Sequence, residues 1–350
     1  MVVSEKVEVL IVGAGPIGIE LAVALKNRGI RYAHVDAGQI GSTISWFAPH
    51  TPFFSSPERI AIAGVPLQTG DQSKATREEY LTYLRTVVLQ FDLEINTFER
   101  VISLRRANDG TFEITTRRNS GERLWIANNV VLAIGDMHRP RVLAVPGENL
   151  PHVSHYFEDP HNYFRRRVLI VGGRNSAIEA AVRCVRVGAQ VTLSYHGRDL
   201  DSTHIKFWLF PEITGMIRDR RVSFLPATSV QEIRRDVVVL EDLSTEKGER
   251  FFIEADSVLL MTGYEQDTDL FFQAGVELVG RNRRPNFDEE TMETNVPGLY
   301  VAGTAAAGTQ SSGVKEFIET SHVHVHRIVA ALTGSSGSHD DPPVYAMPES

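Results

Sequence analysis

The 350-residue sequence has a single cysteine, so the chain can form neither an internal disulfide nor a two-thiol redox centre. It also lacks an excess of positive charge. Its 36 Lys and Arg stand against 44 Asp and Glu, and the resulting formal charge of −8 argues against nucleic-acid binding. Long apolar runs are missing too, since none approaches the roughly 20 residues needed to span a bilayer. The apolar segment 9–25 resembles a signal peptide in hydropathy, but a Gly-Ala-Gly-Pro turn and Glu20 interrupt it and its flank is not cationic. These absences predict a reduced, cytoplasmic protein with no membrane partner. What is present, 42% hydrophobic and 23% charged residues over a length beyond the usual single domain, predicts two globular domains with their own cores.

The chain repeats itself. Residues 9–38, VLIVGAGPIGIELAVALKNRGIRYAHVDAG, align without a gap on residues 168–197, VLIVGGRNSAIEAAVRCVRVGAQVTLSYHG. Each copy opens with an aliphatic run of the kind buried on both faces of a parallel sheet, then turns through glycine. About a dozen residues with helical periodicity follow, closed by Gly29 or Gly188, and a second strand completes a βαβ unit. The wide separation predicts two similar domains rather than a solenoid. Between the copies, 99–105 and 112–116 alternate as strands around the hairpin signal Ala107-Asn108-Asp109-Gly110. Similar signals recur over 222–240 and 251–261, a last helix is predicted over 314–332, and the Ser-, Gly- and Pro-rich residues 335–350 read as a flexible tail.

Gly13-Ala14-Gly15-Pro16-Ile17-Gly18 fits G-x-G-x-x-G between a strand and a helix, with Asp36 ending the next strand. Such glycines let the backbone approach a pyrophosphate at a helix N-terminus, while the acid accepts from adenosine ribose hydroxyls. In the second copy Gly172 and Gly173 keep the turn, Arg174 replaces the second glycine, Asn175 and Ser176 open the helix, and Ala177 takes the third glycine's place. Tyr195 stands where the first copy has Asp36, followed by His196 and Arg198. A carboxylate there would repel a 2′-phosphate, whereas Arg198, His196 and Arg174 are suited to bind one, so NADPH is favoured over NADH. The alternative is that these cations are solvated ends of a strand. Two buried-strand runs end in glycine at Gly135 and Gly263, and a late strand over 299–302 ends at Gly303-Thr304, where it would rejoin the first domain.

Together these residues resemble the two-dinucleotide-binding flavoprotein superfamily, and within it the thioredoxin-reductase-like proteins. The resemblance implies an α/β fold of two Rossmann-like, three-layer ββα domains. A discontinuous FAD domain, 1–148 plus 291–334, would enclose an NAD(P)H domain, 149–290. FAD would be held by Gly13, Gly15, Pro16, Ile17, Gly18, Asp36, Gly135, Gly303 and Thr304. NADPH would be held by Gly172, Gly173, Arg174, Asn175, Ser176, His196, Arg198 and Gly263. A narrower resemblance is to bacillithiol-disulfide reductases of the YpdA type, carried by His50 with Phe53-Phe54-Ser55-Ser56, Val65-Pro66, His155-Tyr156-Phe157, Gly172 to Ala177, Lys206 with Trp208, and Ala302-Gly303.

Three departures bear on function. Thioredoxin reductases carry Cys-x-x-Cys where this chain has His155-Tyr156-Phe157-Glu158, so exchange through a protein dithiol is excluded. The narrower family has a cysteine at the position of Ile17. Many flavoproteins place an acid after the late-strand glycine to hold the ribityl hydroxyls, and Thr304 stands there instead. Of the remaining candidates, Cys184 reads as core packing in a helix. His50, beside Trp46 and Phe47, is a proton donor to a flavin or an ordinary loop histidine. His322, His324 and His326 read as a helix surface near the flavin rather than a metal site, and no metal is expected. Lys206 to Phe210 reads as a hydrophobic cover or the flank of a substrate opening.

The expected function is an FAD-dependent NAD(P)H oxidoreductase passing hydride to a small-molecule acceptor, with a low-molecular-weight disulfide suggested by resemblance. A flavin monooxygenase, a ferredoxin or flavodoxin reductase acting on a redox protein partner, and a non-catalytic NADPH sensor are the alternatives. A homo-oligomer is expected.

Overall fold

The computed structural model describes residues 4–246, 248–310 and 316–335. The two copies of the repeat fold in phase. The first gives the strand Ser4–Val12, the helix Pro16–Asn27 and the strand Tyr32–Val35. The second gives Arg167–Val171, Asn175–Arg186 and Gln190–Ser194. Both helix boundaries recur after 159 residues (175 − 16 and 186 − 27). Gly29 and Gly188 follow the helix C-caps at φ 69° and 87°, a left-handed turn that a side chain would strain.

The chain divides into two compact units. In the first, the sheet order is Tyr32–Val35, Ser4–Val12, Gly121–Leu132, Phe112–Arg118, Arg100–Arg106, and Leu299–Val301 pairs with Gly121–Leu132 as well. Val35 and Leu132 are both in register with Val12, and Val301 with Leu132, so four parallel strands end along one edge. Val9, Leu10 and Ile11 are completely buried, as the unbroken aliphatic run requires. The predicted hairpin forms between Arg100–Arg106 and Phe112–Arg118, closed by Ala107 N donating to Thr111 O at 2.7 Å.

The second unit stacks a parallel sheet, Val222–Leu225, Gln190–Ser194, Arg167–Val171, Ser257–Leu260 and Val153–Ser154, with a separate antiparallel sheet of Thr228–Ile233, Val237–Asp242 and Arg250–Glu254. Cys184 is fully buried against the first of these with Val168, Ile170 and Leu193, as expected of a core residue.

Several boundaries differ from the sequence reading. Apart from Trp46–Pro49, which group with the second unit, the chain leaves the first unit after Arg139 and returns at Tyr264, not at 148 and 291. Residues 140–148 stay with the second unit because Ile233 N donates to Pro146 O at 2.8 Å, while Glu148 closes the segment on itself by accepting from Leu143 N and Ala144 N at 2.7 Å each. Residues 264–290 stay with the first because Gln273, on the helix Asp269–Ala274, accepts from Leu104 N at 3.1 Å. The last helix is Ile318–Thr333; Val314 and, beyond Ser335, the expected tail lie outside the described residues. Among the described residues no helix is long and apolar enough to cross a membrane.

His322 and His324 lie in the interior at 7% and 5% exposure, not on the helix surface expected. His322 Nδ1 lies 2.8 Å from Glu20 on the fingerprint helix, and Nε2 lies 2.9 Å from Arg59 O. Both partners accept only, so the ring satisfies them when it carries two protons. Arg59 in turn donates to buried Glu319 at 3.2 Å. This network ties the last helix to the first, where apolar packing alone would leave their register unspecified.

Burial opposes the charge on His322, but the bond to Glu20, its negative charge, the Arg59 carbonyl and Glu319 hold the imidazolium above its ordinary range. A raised folded-state value means that the stabilisation is complete below about pH 6.5, the unfolded value, and is lost as pH rises through the folded one. The thermal midpoint is therefore expected to fall as pH rises from about 6.5, by calorimetry. His322→Leu should flatten that dependence and lower stability by roughly 1–3 kcal/mol, because Glu20 is left unpaired.

Candidate functional site

In sheets of this kind ligands bind outside the carboxyl ends of the strands, so the residues just past Val12, Val35, Leu132 and Val301 define the first site. Gly13 turns there at φ 110°, and a Cβ on it would lie 2.3 Å from Ala133 O. Only glycine lets the turn tuck beneath the neighbouring strand's end. The helix that follows starts at Pro16 with Gly15 as its N-cap, and no side chain caps it. Its first amides and the positive end of its dipole are accordingly open to an anionic group. A Cβ on Gly15 would meet nothing within 4 Å, so the space before this terminus is clear.

Asp36 is nearly buried and accepts from Ala14 N at 2.6 Å and Gly38 N at 2.7 Å. A carboxylate has about four acceptor positions, so two amides leave capacity for hydroxyl donors. His34 supports the same turn from below: its Nε2 lies 2.8 Å from Gly13 O, and burial holds its pKa down at about 4, against smaller raising effects from that carbonyl and Asp36. The ring is therefore neutral and donates to the carbonyl.

The late strand closes the same edge. A Cβ on Gly303 would lie 3.4 Å from Ile17, and one on Gly135 would lie 3.7 Å from Thr304 Oγ1. Gly13, Ile17, Gly135, Gly303 and Thr304 are thus brought together, as the sequence reading required. The Gly303 amide donates to His324 Nδ1 at 3.2 Å, so it is committed to the protein. Burial, then the positive charges of Arg327 and His322, push His324 down to about 4, which keeps Nδ1 an acceptor.

Sequence reasoning missed three residues here. Gln266, at 2% exposure, donates through Nε2 to Gly135 O at 3.2 Å and Ala305 O at 2.7 Å, while its buried Oε1 has no donor among the described residues. Asp136 accepts from Gln310 Nε2 at 3.0 Å. Only Asp136 had any sequence signal, as the residue after Gly135; the glutamines lie in segments without a motif.

In the second unit the glycine turn has a different partner. A Cβ on Gly173 would lie 2.4 Å from the Tyr195 ring, which therefore lies flat against the turn where the first copy has the Ala14 amide bonded to Asp36. Arg174 is the N-cap of the helix Asn175–Arg186 and leaves its terminus without a side-chain cap. Arg174, Ser176, His196 and Arg198 are exposed about this end of the sheet, and Gly263 sits past the end of Ser257–Leu260. Asn175 is partly committed, since its Oδ1 accepts from Lys206 N at 2.9 Å. Arg198 also lines a cavity of about 510 Å³ with Leu225, Ala227, Thr228 and Asp242. Phe207 is exposed, while Leu209 is buried and Trp208 and Phe210 pack against the same core, so 208–210 covers the core of the second unit.

His50 is not drawn into either cluster. Its side chain is 83% exposed, its backbone N donates to Glu78 at 3.0 Å, and its ring lies 3.8 Å from the same carboxylate. The geometry gives it the bonding of a loop histidine.

The comparisons agree with this arrangement. The family described as pyridine nucleotide-disulphide oxidoreductase matches residues 10–303. The chain is 35% identical over 323 residues to bacilliredoxin reductase Bdr of Bacillus subtilis, covering 92% of this chain and 96% of that protein. It matches the structure of bacillithiol disulfide reductase Bdr (YpdA) from Bacillus cereus with a TM-score of 0.88 at 33% identity, over 94% of this chain and 99% of that one. It is also 26% identical over 302 residues to a ferredoxin–NADP reductase of Ignicoccus hospitalis, covering 85% and 89% of the two chains. With two in-phase dinucleotide-type turns on two separate sheets, and a fold that also matches the thioredoxin reductase of T. acidophilum with a TM-score of 0.72, the chain belongs to the pyridine nucleotide-disulphide oxidoreductase family, as an FAD- and NADPH-dependent reductase of thioredoxin-reductase-like fold.

Proposed function

We propose that the first unit holds FAD, the second holds NADPH, and the enzyme reduces a low-molecular-weight disulfide without any protein thiol taking part. The observation that carries this reading is the divergence of one repeat at a single place. Asp36 bonds the turn amide in the first copy, while Tyr195 covers the glycine in the second with Arg198 nearby. An anionic partner suits ribose hydroxyls and rejects a 2′-phosphate; a neutral ring beside cations does the reverse.

The residues fit the two cofactors. The uncapped terminus at Gly15 suits a pyrophosphate, and the buried Gln266 Oε1 offers an acceptor to a ring N–H. When bound, FAD supplies a two-electron relay between the nicotinamide and the acceptor. The chain's own residues contribute position and exclusion. Gly13 and Gly135 let the backbone approach, while Ile17, Ala305 and Ala306 are apolar and buried. For a disulfide RSSR the balance is NADPH + H⁺ + RSSR giving NADP⁺ + 2 RSH, with both electrons crossing directly to sulfur.

Cys184 takes no part in that reading. It is fully buried and desolvation pushes its thiol up to about 12, so almost no thiolate forms near neutral pH. The similarity to bacillithiol disulfide and bacilliredoxin reductases supports the acceptor class. The similarity to a ferredoxin–NADP reductase keeps a one-electron protein acceptor as the competing outcome.

Three measurements test the assignment. Anaerobic mixing with NADPH should bleach the flavin absorbance, and bacillithiol disulfide should restore it; restoration by ferredoxin but by no disulfide would replace the proposed acceptor. Arg198→Ala should raise KM for NADPH by at least about tenfold while leaving that for NADH nearly unchanged, since one charge-assisted phosphate contact is worth about 1.5–3 kcal/mol. Cys184→Ala should keep kcat within about twofold in steady-state assays, whereas a large loss with intact folding would restore a thiol to the mechanism.

A further inference from the structure

Asp136 follows Gly135 at the carboxyl end of the strand Gly121–Leu132. It is half-buried, and its described partners are neutral. Gln310 Nε2 donates to it at 3.0 Å, and the Thr304 hydroxyl also hydrogen-bonds to it. No cation among the described residues forms an ion pair with it, and burial raises its pKa against the lowering effect of those two bonds. A half-buried carboxylate is costly to keep without a cation, and its remaining acceptor positions suit hydroxyl donors.

The sheet order says which donors. Across the first unit the parallel strands run Tyr32–Val35, Ser4–Val12, Gly121–Leu132, Leu299–Val301. Asp36 stands past the end of the first of these, the uncapped helix terminus follows the second, and Asp136 and Thr304 follow the third and fourth. Neighbouring strands lie about 4.8 Å apart, so the first and third of these strands are roughly 10 Å apart. A dinucleotide laid along this edge with its adenosine ribose on Asp36 and its pyrophosphate on the helix terminus meets Asp136 with the next group in covalent order. In FAD that group is the ribityl chain, which carries hydroxyl donors.

We propose that Asp136 is the carboxylate that holds the ribityl hydroxyls of FAD, standing in from the neighbouring strand for the acid that position 304 lacks. The proposal rests on the reading of the first unit as the FAD site. Thr304 then serves as a positioning residue, whose hydroxyl orients the carboxylate, and Gln310 fixes it from the other side. The arrangement places one negative charge at the same strand edge from a different strand, so a chain with threonine after the late-strand glycine still presents an anionic acceptor.

The test measures FAD release from purified holoenzyme, followed as free-flavin fluorescence after dilution. Asp136→Asn keeps the shape and one acceptor oxygen but removes the charge, and Asp136→Ala removes both. Each is expected to release FAD at least about tenfold faster than the unaltered enzyme. The double variant Asp136→Ala/Thr304→Asp, which returns the carboxylate to the late strand, is expected to bring release back to within about threefold. Far-UV circular dichroism of each variant establishes that it is folded, and Asp136→Asn carries the test should the alanine variant not be. Wild-type release rates in folded Asp136→Asn overturn the proposal, as does failure of Thr304→Asp to slow release in a folded double variant. Unaltered protein that purifies without FAD would instead overturn the reading of the first unit.

Discussion

The close approach of Gly13 to Ala133 O is the constraint on which the first site depends. With the turn seated beneath the neighbouring strand's end, the helix Pro16–Asn27 starts directly over the sheet edge, and its free amides face the space where the other strands stop. Any side chain at position 13 would collide with the backbone and lift the turn. Asp36, Gly135, Asp136, Gly303 and Thr304 all follow strands that end along the edge where that turn is seated. His34 and the Glu20–His322 network act on the same element from beneath and behind, fixing the turn's carbonyl and the helix's register.

The two copies keep one βαβ frame and change the partner of its glycine turn. The helices begin and end at equivalent residues, yet the turn amide is bonded to a carboxylate in one and covered by an aromatic ring in the other. The exchange is coupled: Tyr195 can lie against the turn only because position 173 is glycine, while Asp36 tolerates alanine at 14. Charge follows suit, with a buried anion in the first site and exposed Arg174 and Arg198 around the second.

Much of the fold could be read from the chain because its signals are local. The continuous aliphatic runs, the glycines at helix ends and the Ala107 to Gly110 turn each reflect backbone conformations or burial patterns that a short segment dictates alone. Domain boundaries were less legible. Residues 140–148 and 264–290 join their units through Pro146 and Gln273, which accept from the distant amides of Ile233 and Leu104 that sequence order does not reveal. The histidines of the last helix were misread for a similar reason: their spacing is compatible with a solvated face, and only the arrival of Glu20 and the Gly303 amide makes the interior polar enough to hold them.

The sequence by itself determined that there are two dinucleotide-type turns, that one carries an acid where the other does not, and that no dithiol is present, since these depend on residue identity at fixed spacing. Tertiary structure alone decided that His50 faces solvent and that Asp136 meets Thr304 and Gln310 across separations of 168 and 174 residues (304 − 136 and 310 − 136). Contacts between strand ends are set by sheet order, which arises when buried strands pair and which no local pattern encodes.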